Sequence, residues 1–240
     1  MRNTFFLLAG LLLTAPVLAQ DKTYNDANAE RRNVSGFHAI SMSDGIDLYL
    51  TQGNEEAVAV SASKPEDRDK IKTVVENGVL KNYLQYEEFK WFSWRSNRRL
   101  RAYVSVRNLD DLRGSGGSDI LINGTLAVAK LRLDISGGSD FKGNVNITNL
   151  DIDQSGGSDV DISGRVTNIT IDASGGSDLN GFDLVAETCN ASGSGGSDIR
   201  ITVNKELVAD ASGGSDIHYR GNASVRKSSS SGGSSVSKRG

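Results

Sequence analysis

One five-residue block, Ser-Gly-Gly-Ser-Asp, recurs at 115–119, 136–140, 155–159, 174–178, 194–198 and 212–216, and a seventh copy at 231–235 ends in Ser. The first serines of successive blocks are 21, 19, 19, 20, 18 and 19 residues apart. A near-constant period of this length confines the chain to repeat architectures, in which each unit is one coil and the core forms only when coils stack. Within the repeat the apolar residues alternate. After each Asp stands Ile120, Phe141, Val160, Leu179, Ile199 or Ile217, and before each block run Leu131/Leu133/Ile135, Leu150/Ile152 and Ile169/Ile171/Ala173. Period-two patterning on both sides of a Gly-rich corner predicts at least two short strands per coil, and no helix-period segment intervenes. Gly124, Gly164 and Gly221 are suited to the opposite corner. The fold class read from this pattern is all-β: a β-solenoid, or β-helix-like repeat, over residues 114–240.

Residues 33–113 have another texture. Ile40/Met42, Ile46/Leu48/Leu50 and Val58/Val60 read as strands, with Gly45, Gly53 and Asn77-Gly78 at turns. Residues 64–70 read as a solvated connection or one helical turn. No linker separates this region from the first block, so it is expected to stack on the solenoid and cap its end, where an open coil would expose a strand edge. Residues 1–19 read as a signal peptide: Arg2, an apolar run from Phe5 to Leu13, and Val17-Leu18-Ala19 before the cleavage point. Residues 20–32 read as a flexible polar leader. The chain is thus expected to be exported to the periplasm, the outer-membrane surface or the medium, with no transmembrane segment.

The net charge of −3 gives no basic footprint for nucleic acid, and one Cys with two His leaves no His/Cys zinc site in view. Cys189 reads as a buried thiol in the inward column of Leu133, Ile152 and Ile171. Asp134, Asp153, Asp172, Asn190 and Asp210 read as the neighbouring outward column.

Asp119, Asp140, Asp159, Asp178, Asp198 and Asp216 occupy equivalent corners. Coils in register would bring their carboxylates about 4.8 Å apart. Repulsion between neighbours would then be about 0.9 kcal/mol in water and about 3.5 kcal/mol at an effective dielectric of 20. The favoured reading is a structural turn ladder, each Asp accepting backbone N–H bonds at its own corner. The competing reading is calcium held between coils. No cofactor is otherwise expected.

Between Tyr83 and Trp94 stand six of the chain's aromatic residues, including both Trp, with Arg95, Arg98, Arg99 and Arg101 following. Such a break in the pattern marks a candidate site. Tyr86, Phe89, Trp91, Phe92, Trp94, Arg95, Arg98 and Arg99 are suited to a glycan or protein contact, to an interface between copies in a homo-oligomer, or to covering the solenoid's end. His38 and His218 carry no motif neighbours, and the carboxylates belong to the repeat rather than being placed once, so no catalytic residues are assigned. A secreted β-helix enzyme acting on polysaccharide, of the pectinase or lyase kind, is the alternative, and a purely structural envelope scaffold the second.

Three stretches carry a family resemblance: Arg32-Asn-Val-Ser-Gly-Phe-His-Ala-Ile40, Gly45-Ile-Asp-Leu-Tyr-Leu-Thr-Gln-Gly53 and Lys70-Ile-Lys-Thr-Val-Val-Glu-Asn-Gly-Val-Leu80. Followed by the repeated corners, they resemble the putative auto-transporter adhesin, head GIN domain family of exported bacterial proteins, over about residues 32–240. The resemblance implies a β-helix-like fold, an envelope or secreted location and an adhesin-like role toward a glycan or cell-surface protein. It carries over no catalytic residue.

Overall fold

The computed structural model describes residues 26–85 and 98–240. The signal-peptide reading lies outside these residues. The chain begins with β1 (Glu30–Arg32), β2 (Ala39–Met42), β3 (Asp47–Gln52) and β4 (Ala57–Ser61). One helical turn, α1 (Pro65–Arg68), precedes β5 (Ile71–Glu76), β6 (Val79–Leu84), β7 (Arg101–Val106) and β8 (Asp111–Gly114). Five long strands follow, β9 (Ile120–Ile135), β10 (Asp140–Gln154), β11 (Asp159–Ala173), β12 (Asp178–Gly193) and β13 (Asp198–Gly213). The last are β14 (Asp216–Arg220), β15 (Ser224–Gly232) and β16 (Ser235–Lys238).

The fold is a β-solenoid of about 7 turns. Where at least two short strands per coil were expected, each coil from β9 to β13 is one strand that runs from one Ser-Gly-Gly corner to the next and bends midway. Gly124, Gly164 and Gly221 lie at that bend with φ of 85°, 113° and 94°. At Gly164 a Cβ would fall 2.0 Å from the Val145 carbonyl oxygen, so both backbone conformation and coil spacing require glycine there.

Neighbouring coils pair in parallel with like residues opposite: Phe141 with Val160, Leu150 with Ile169, Ile152 with Ile171. The resulting columns are fully enclosed. Ile120, Phe141, Val160, Leu179, Ile199 and Ile217 are all buried, as are Leu131, Leu150, Ile169, Cys189 and Leu207. Cys189 therefore stands opposite Ile169, and Ala191 opposite Ile171. The expected columns were displaced by two residues for this coil: Ser192, not Asn190, continues the row Asp134, Asp153, Asp172. The cause is the place of the irregularity. The pairing of β12 with β13 skips residues 182–184 at the far bend, so the 191–198 corner is of ordinary length.

The N-terminal half joins the same stack out of sequence order. β3 lies between β7 and β9 on one wall, while β2 lies between β6 and β8 on the other. Thus β2 and β3 form a coil of their own, and the chain returns through β6 and β7 to build the next coil outward. Beyond these, β4 runs antiparallel on β7, β1 antiparallel on β4 and β5 antiparallel on β6. Residues 30–32 are strand β1, not flexible leader. Asp26 is tied down as well, accepting from the Tyr103 hydroxyl at 2.8 Å and lying 3.5 Å from Arg101.

Candidate binding surface

The Ser-Gly-Gly-Ser-Asp corners stack into one long edge. Their first glycines have positive φ, 79° at Gly175 and 74° at Gly195, and the corner amides bond from coil to coil, with Gly176 N–H donating to the Gly156 carbonyl at 2.8 Å. A Cβ at Gly175 would meet that same Gly156 oxygen at 2.8 Å. The corner is closed by its fourth residue. Ser118, Ser139, Ser158, Ser177, Ser197 and Ser215 are wholly buried. The Ser177 hydroxyl donates to the Ser174 carbonyl at 3.0 Å, and Ser158, Ser197 and Ser215 bond Ser155, Ser194 and Ser212 in the same way. Ser158 and Ser197 also reach the preceding coil, at Ile135 O and Ala173 O. This inward serine ladder was missed in the sequence because both serines of the block read alike; only the alternation counted from the following apolar residue separates them.

The Asp ladder differs from expectation in its bonding. The Asp140 carboxylate accepts from the backbone N–H of Asp159 at 3.3 Å, one coil along, instead of from its own corner. The ladder also has an additional member: Asp47 accepts from Asp119 N–H at 3.4 Å, and Ile46 N–H donates to the Ser118 hydroxyl, so Ser43–Asp47 is a corner without the repeat's letters. Partial loss of hydration raises the carboxyl pKa values of Asp47, Asp119 and Asp159; repulsion from Asp140 adds to it at the latter two, and from Asp178 at Asp159. Asp198 is paired to Arg200 at 2.8 Å, and Asp216 accepts from the Ser235 hydroxyl at 2.6 Å. Among the described residues no group of three or more Asp, Glu, His or Cys side chains is arranged to hold a metal ion.

On the other side of the corner edge lies a second acidic row. Asp134, Asp153, Asp172 and Asp210 line an open groove of about 480 Å³, faced by the first serines of the blocks, Ser155, Ser174, Ser194, Ser212 and Ser231. Asp153 is bridged by Arg132 at 2.7 Å. Lys227 at 3.0 Å and the Ser229 hydroxyl hold the Asp210 carboxyl below its ordinary pKa, with the serine bond the larger cause. Ser hydroxyls and carboxylates thus line the groove together and repeat along it from coil to coil.

Tyr86, Phe89, Trp91, Phe92, Trp94 and Arg95 lie outside the described residues. Of the aromatic-basic segment's predicted contacts the structure describes Arg98, 3.7 Å from Asp67, and Arg99, at φ 39°. The flanks locate its insertion point. Leu84 N–H donates to the Asp44 carboxylate at 3.0 Å, and Asp47 N–H donates to the Leu100 carbonyl at 3.0 Å. The described ends of the segment, at Leu84 and Leu100, therefore lie beside the Ser43–Asp47 corner.

Neither histidine is set up as a base toward a serine. His218 Nε2 lies 3.3 Å from the Arg239 guanidinium, which can only donate, so Nδ1 carries the proton and donates to the Ser237 hydroxyl at 2.8 Å. His38 Nδ1 lies 3.0 Å from Asp110, whose hydrogen bond and charge raise the imidazole pKa above 6.5. Cys189 is buried and its pKa is pushed up to about 12 by burial, which makes it an inert thiol.

A parallel β-solenoid with a continuous polar edge and an open groove beside it defines a protein built to present a long repetitive surface. The chain belongs to the family described as "Putative auto-transporter adhesin, head GIN domain", whose pattern matches residues 36–223. The crystal structure of a "putative adhesin" from Bacteroides fragilis superposes with a TM-score of 0.79 at 19% identity, covering 88% of this chain and 96% of that one. A "putative adhesin" from Parabacteroides distasonis gives 0.66 at 18% identity, covering 88% and 96%. A "Putative lipid binding protein" from the same species gives 0.59 at 21%, covering 90% and 98%. These likenesses establish a shared fold. No curated protein matches the chain.

Proposed function

We propose that the protein is an exported, non-enzymatic adhesin of the bacterial cell envelope that holds a glycan along its Ser/Asp edge. The observation that carries this reading is the groove of about 480 Å³ lined by the first serines of the blocks and by Asp134, Asp153, Asp172 and Asp210. Sugar hydroxyls both donate and accept, and a surface offering carboxylate acceptors beside serine donors satisfies both roles. The repeat of those groups at about the strand spacing suits a chain molecule lying along the coil axis better than a compact one. Membership of an adhesin family supports binding to a surface partner. The sequence between Tyr83 and Trp94 adds aromatic side chains of the kind that stack on sugar faces.

A glycan-array screen of residues 20–240, with and without calcium, tests the reading. The expected result is a hit weakened by Asp153→Ala/Asp172→Ala and by Trp91→Ala/Trp94→Ala in variants that keep the wild-type melting profile. A hit insensitive to the Asp pair overturns the groove as the site. Release of shortened product from the hit overturns the non-enzymatic reading, and binding to a host or envelope protein alone overturns the glycan.

A further inference from the structure

The residues that β12 inserts at the far bend bring an aromatic ring under an arginine. Phe182 is half-buried, and its carbonyl accepts from the Thr202 hydroxyl at 2.7 Å. The Arg220 guanidinium of β14 lies over the Phe182 ring, 4.0 Å from its centroid. Stacking of this kind fixes the plane of the guanidinium and leaves the N–H donors along its edge open to a ligand.

Arg239 continues the same row. Arg220 stands opposite Thr202, and Arg239 N–H donates to the Tyr219 carbonyl at 2.8 Å. Arg239 therefore follows Arg220 one coil further on, about 4.8 Å along the stack. Its guanidinium turns back to His218 Nε2 at 3.3 Å, and His218 Nδ1 donates to Ser237 at 2.8 Å. Two neighbouring arginines are thus positioned by an aromatic ring and an imidazole, not by carboxylates. Among the described residues neither is ion-paired. Asp198 is taken up by Arg200 at 2.8 Å, and Asp216 accepts from the Ser235 hydroxyl at 2.6 Å. Residues 217–240 hold five Arg and Lys side chains and no Asp or Glu, in a chain of net charge −3. Adjacent cations without a counter-charge repel one another, and an oxyanion shared between them turns that repulsion into attraction.

We infer that Arg220 and Arg239 form a site for a sulfate or phosphate ester carried on a glycan. The guanidinium fork matches two oxygens of such a group at once, and arginines one coil apart can hold it from two sides. Both side chains are tied back to the solenoid wall, where a polymer lying along the coils reaches them and a flat bilayer surface does not. The choice of a glycan as carrier rests on the function proposed above. The site itself is separate from the acidic groove, whose carboxylates repel such esters.

The test is calorimetric titration of residues 20–240 with a sulfated oligodextran and with the same oligodextran unsulfated, beside phosphatidylglycerol vesicles. The sulfated chain is expected to bind, and the unsulfated one to bind about tenfold more weakly or worse. Arg220→Gln/Arg239→Gln is expected to weaken the sulfate-dependent binding by about tenfold or more, the worth of one or two charge-assisted bonds. Lys72→Gln/Lys142→Gln removes the same charge from exposed positions on β5 and β10, and is expected to change the affinity by less than about twofold. Phe182→Leu keeps every charge and is expected to weaken binding while the melting profile stays that of the wild type. Equal affinity for the two oligodextrans overturns the inference. So does a loss in the Lys pair as large as in the Arg pair, which reduces the binding to net charge, and so does capture of vesicles without the oligosaccharide. The groove fails or stands separately: it offers no preference for sulfate, so sulfate-dependent binding through the arginines holds whatever Asp153→Ala/Asp172→Ala does.

Discussion

At its N-terminal end the solenoid is closed by chain folded back across it. β4 and β5 run antiparallel to the coil strands they join, β1 adds to β4, and Val58, Val60, Ile71, Leu80 and Leu84 beneath them are buried. The C-terminal end has no such cover among the described residues: its final coil keeps the parallel path of the repeat, and Val225 remains 39% exposed. One end is thus terminated by topology, which brings extra apolar surface to cover the core. At the other the composition of the last described coil changes instead, with Ser228 and Ser230 opposite the inward Ala209 and Ala211. The difference teaches that apolar exposure in a coil can be lowered in two ways, by laying antiparallel strands beside it or by turning its inward positions polar.

The largest effect should separate the ends by core truncation. Ile40→Ala, in the enclosed β2 coil, is expected to cost about 2–5 kcal/mol in urea unfolding, whereas Val236→Ala in the final coil should cost under about 1 kcal/mol, because its side chain covers only one neighbour. Equal losses would show that the final coil is as well sealed as the first. The corner serine sharpens the same contrast. Ser177→Ala removes a wholly buried hydroxyl and the part-buried bond it donates to the Ser174 carbonyl and should cost about 1–3 kcal/mol, against at most about 0.5 kcal/mol for Ser234→Ala, whose bond to Ser231 is exposed.

Smaller effects come from the charges that line the mid-stack coils. Asp159 has a folded pKa above its ordinary value of 3.8, so its ionised form is disfavoured in the fold. Stability tied to this group is lowest above the folded pKa, where it is charged in both states, and rises as pH falls through that value toward 3.8. Asp159→Asn is therefore expected to raise the melting temperature slightly at neutral pH and to lose that advantage near the unfolded pKa. A fall in melting temperature at neutral pH would show that the carboxylate is bound to a cation or to a partner. The smallest effect belongs to His38 at the N-terminal end. Its folded pKa is raised by Asp110, so the contribution of this pair is complete below 6.5 and is lost as pH climbs through the folded value. NMR titration should place the His38 midpoint above 6.5, and Asp110→Asn should bring it back.

The strand columns, the coil length and the glycine corners were legible in residues 114–240 because each follows from a period of two within a period near 20. The corner at Ser43–Asp47 was not. It carries one glycine, Gly45, and shows itself only through Ile46 N–H bonded to Ser118 and Asp47 bonded to Asp119 N–H, both contacts across 72 residues. The acidic groove was half legible. Asp134, Asp153, Asp172 and Asp210 were seen as a column, but nothing local shows that they line one groove with the first serines of the blocks. The misplacement of Cys189 has the same origin. Extra residues can be absorbed at either bend of a coil, and only the pairing of β12 with β13 shows that the far bend takes them.

By itself the sequence determined that this chain is a stack of β coils with glycine corners. Side-chain alternation and backbone sterics are short-range properties, and repetition multiplies them into a global shape. Only the tertiary structure decided the order of the first coils, the insertion of β3 between β7 and β9 and of β2 between β6 and β8, and the closure of one end by antiparallel strands. Strand pairing is made by backbone groups common to all residues, so which distant strands meet depends on which apolar columns can be completed together. That sum is taken over the whole fold and over no single segment.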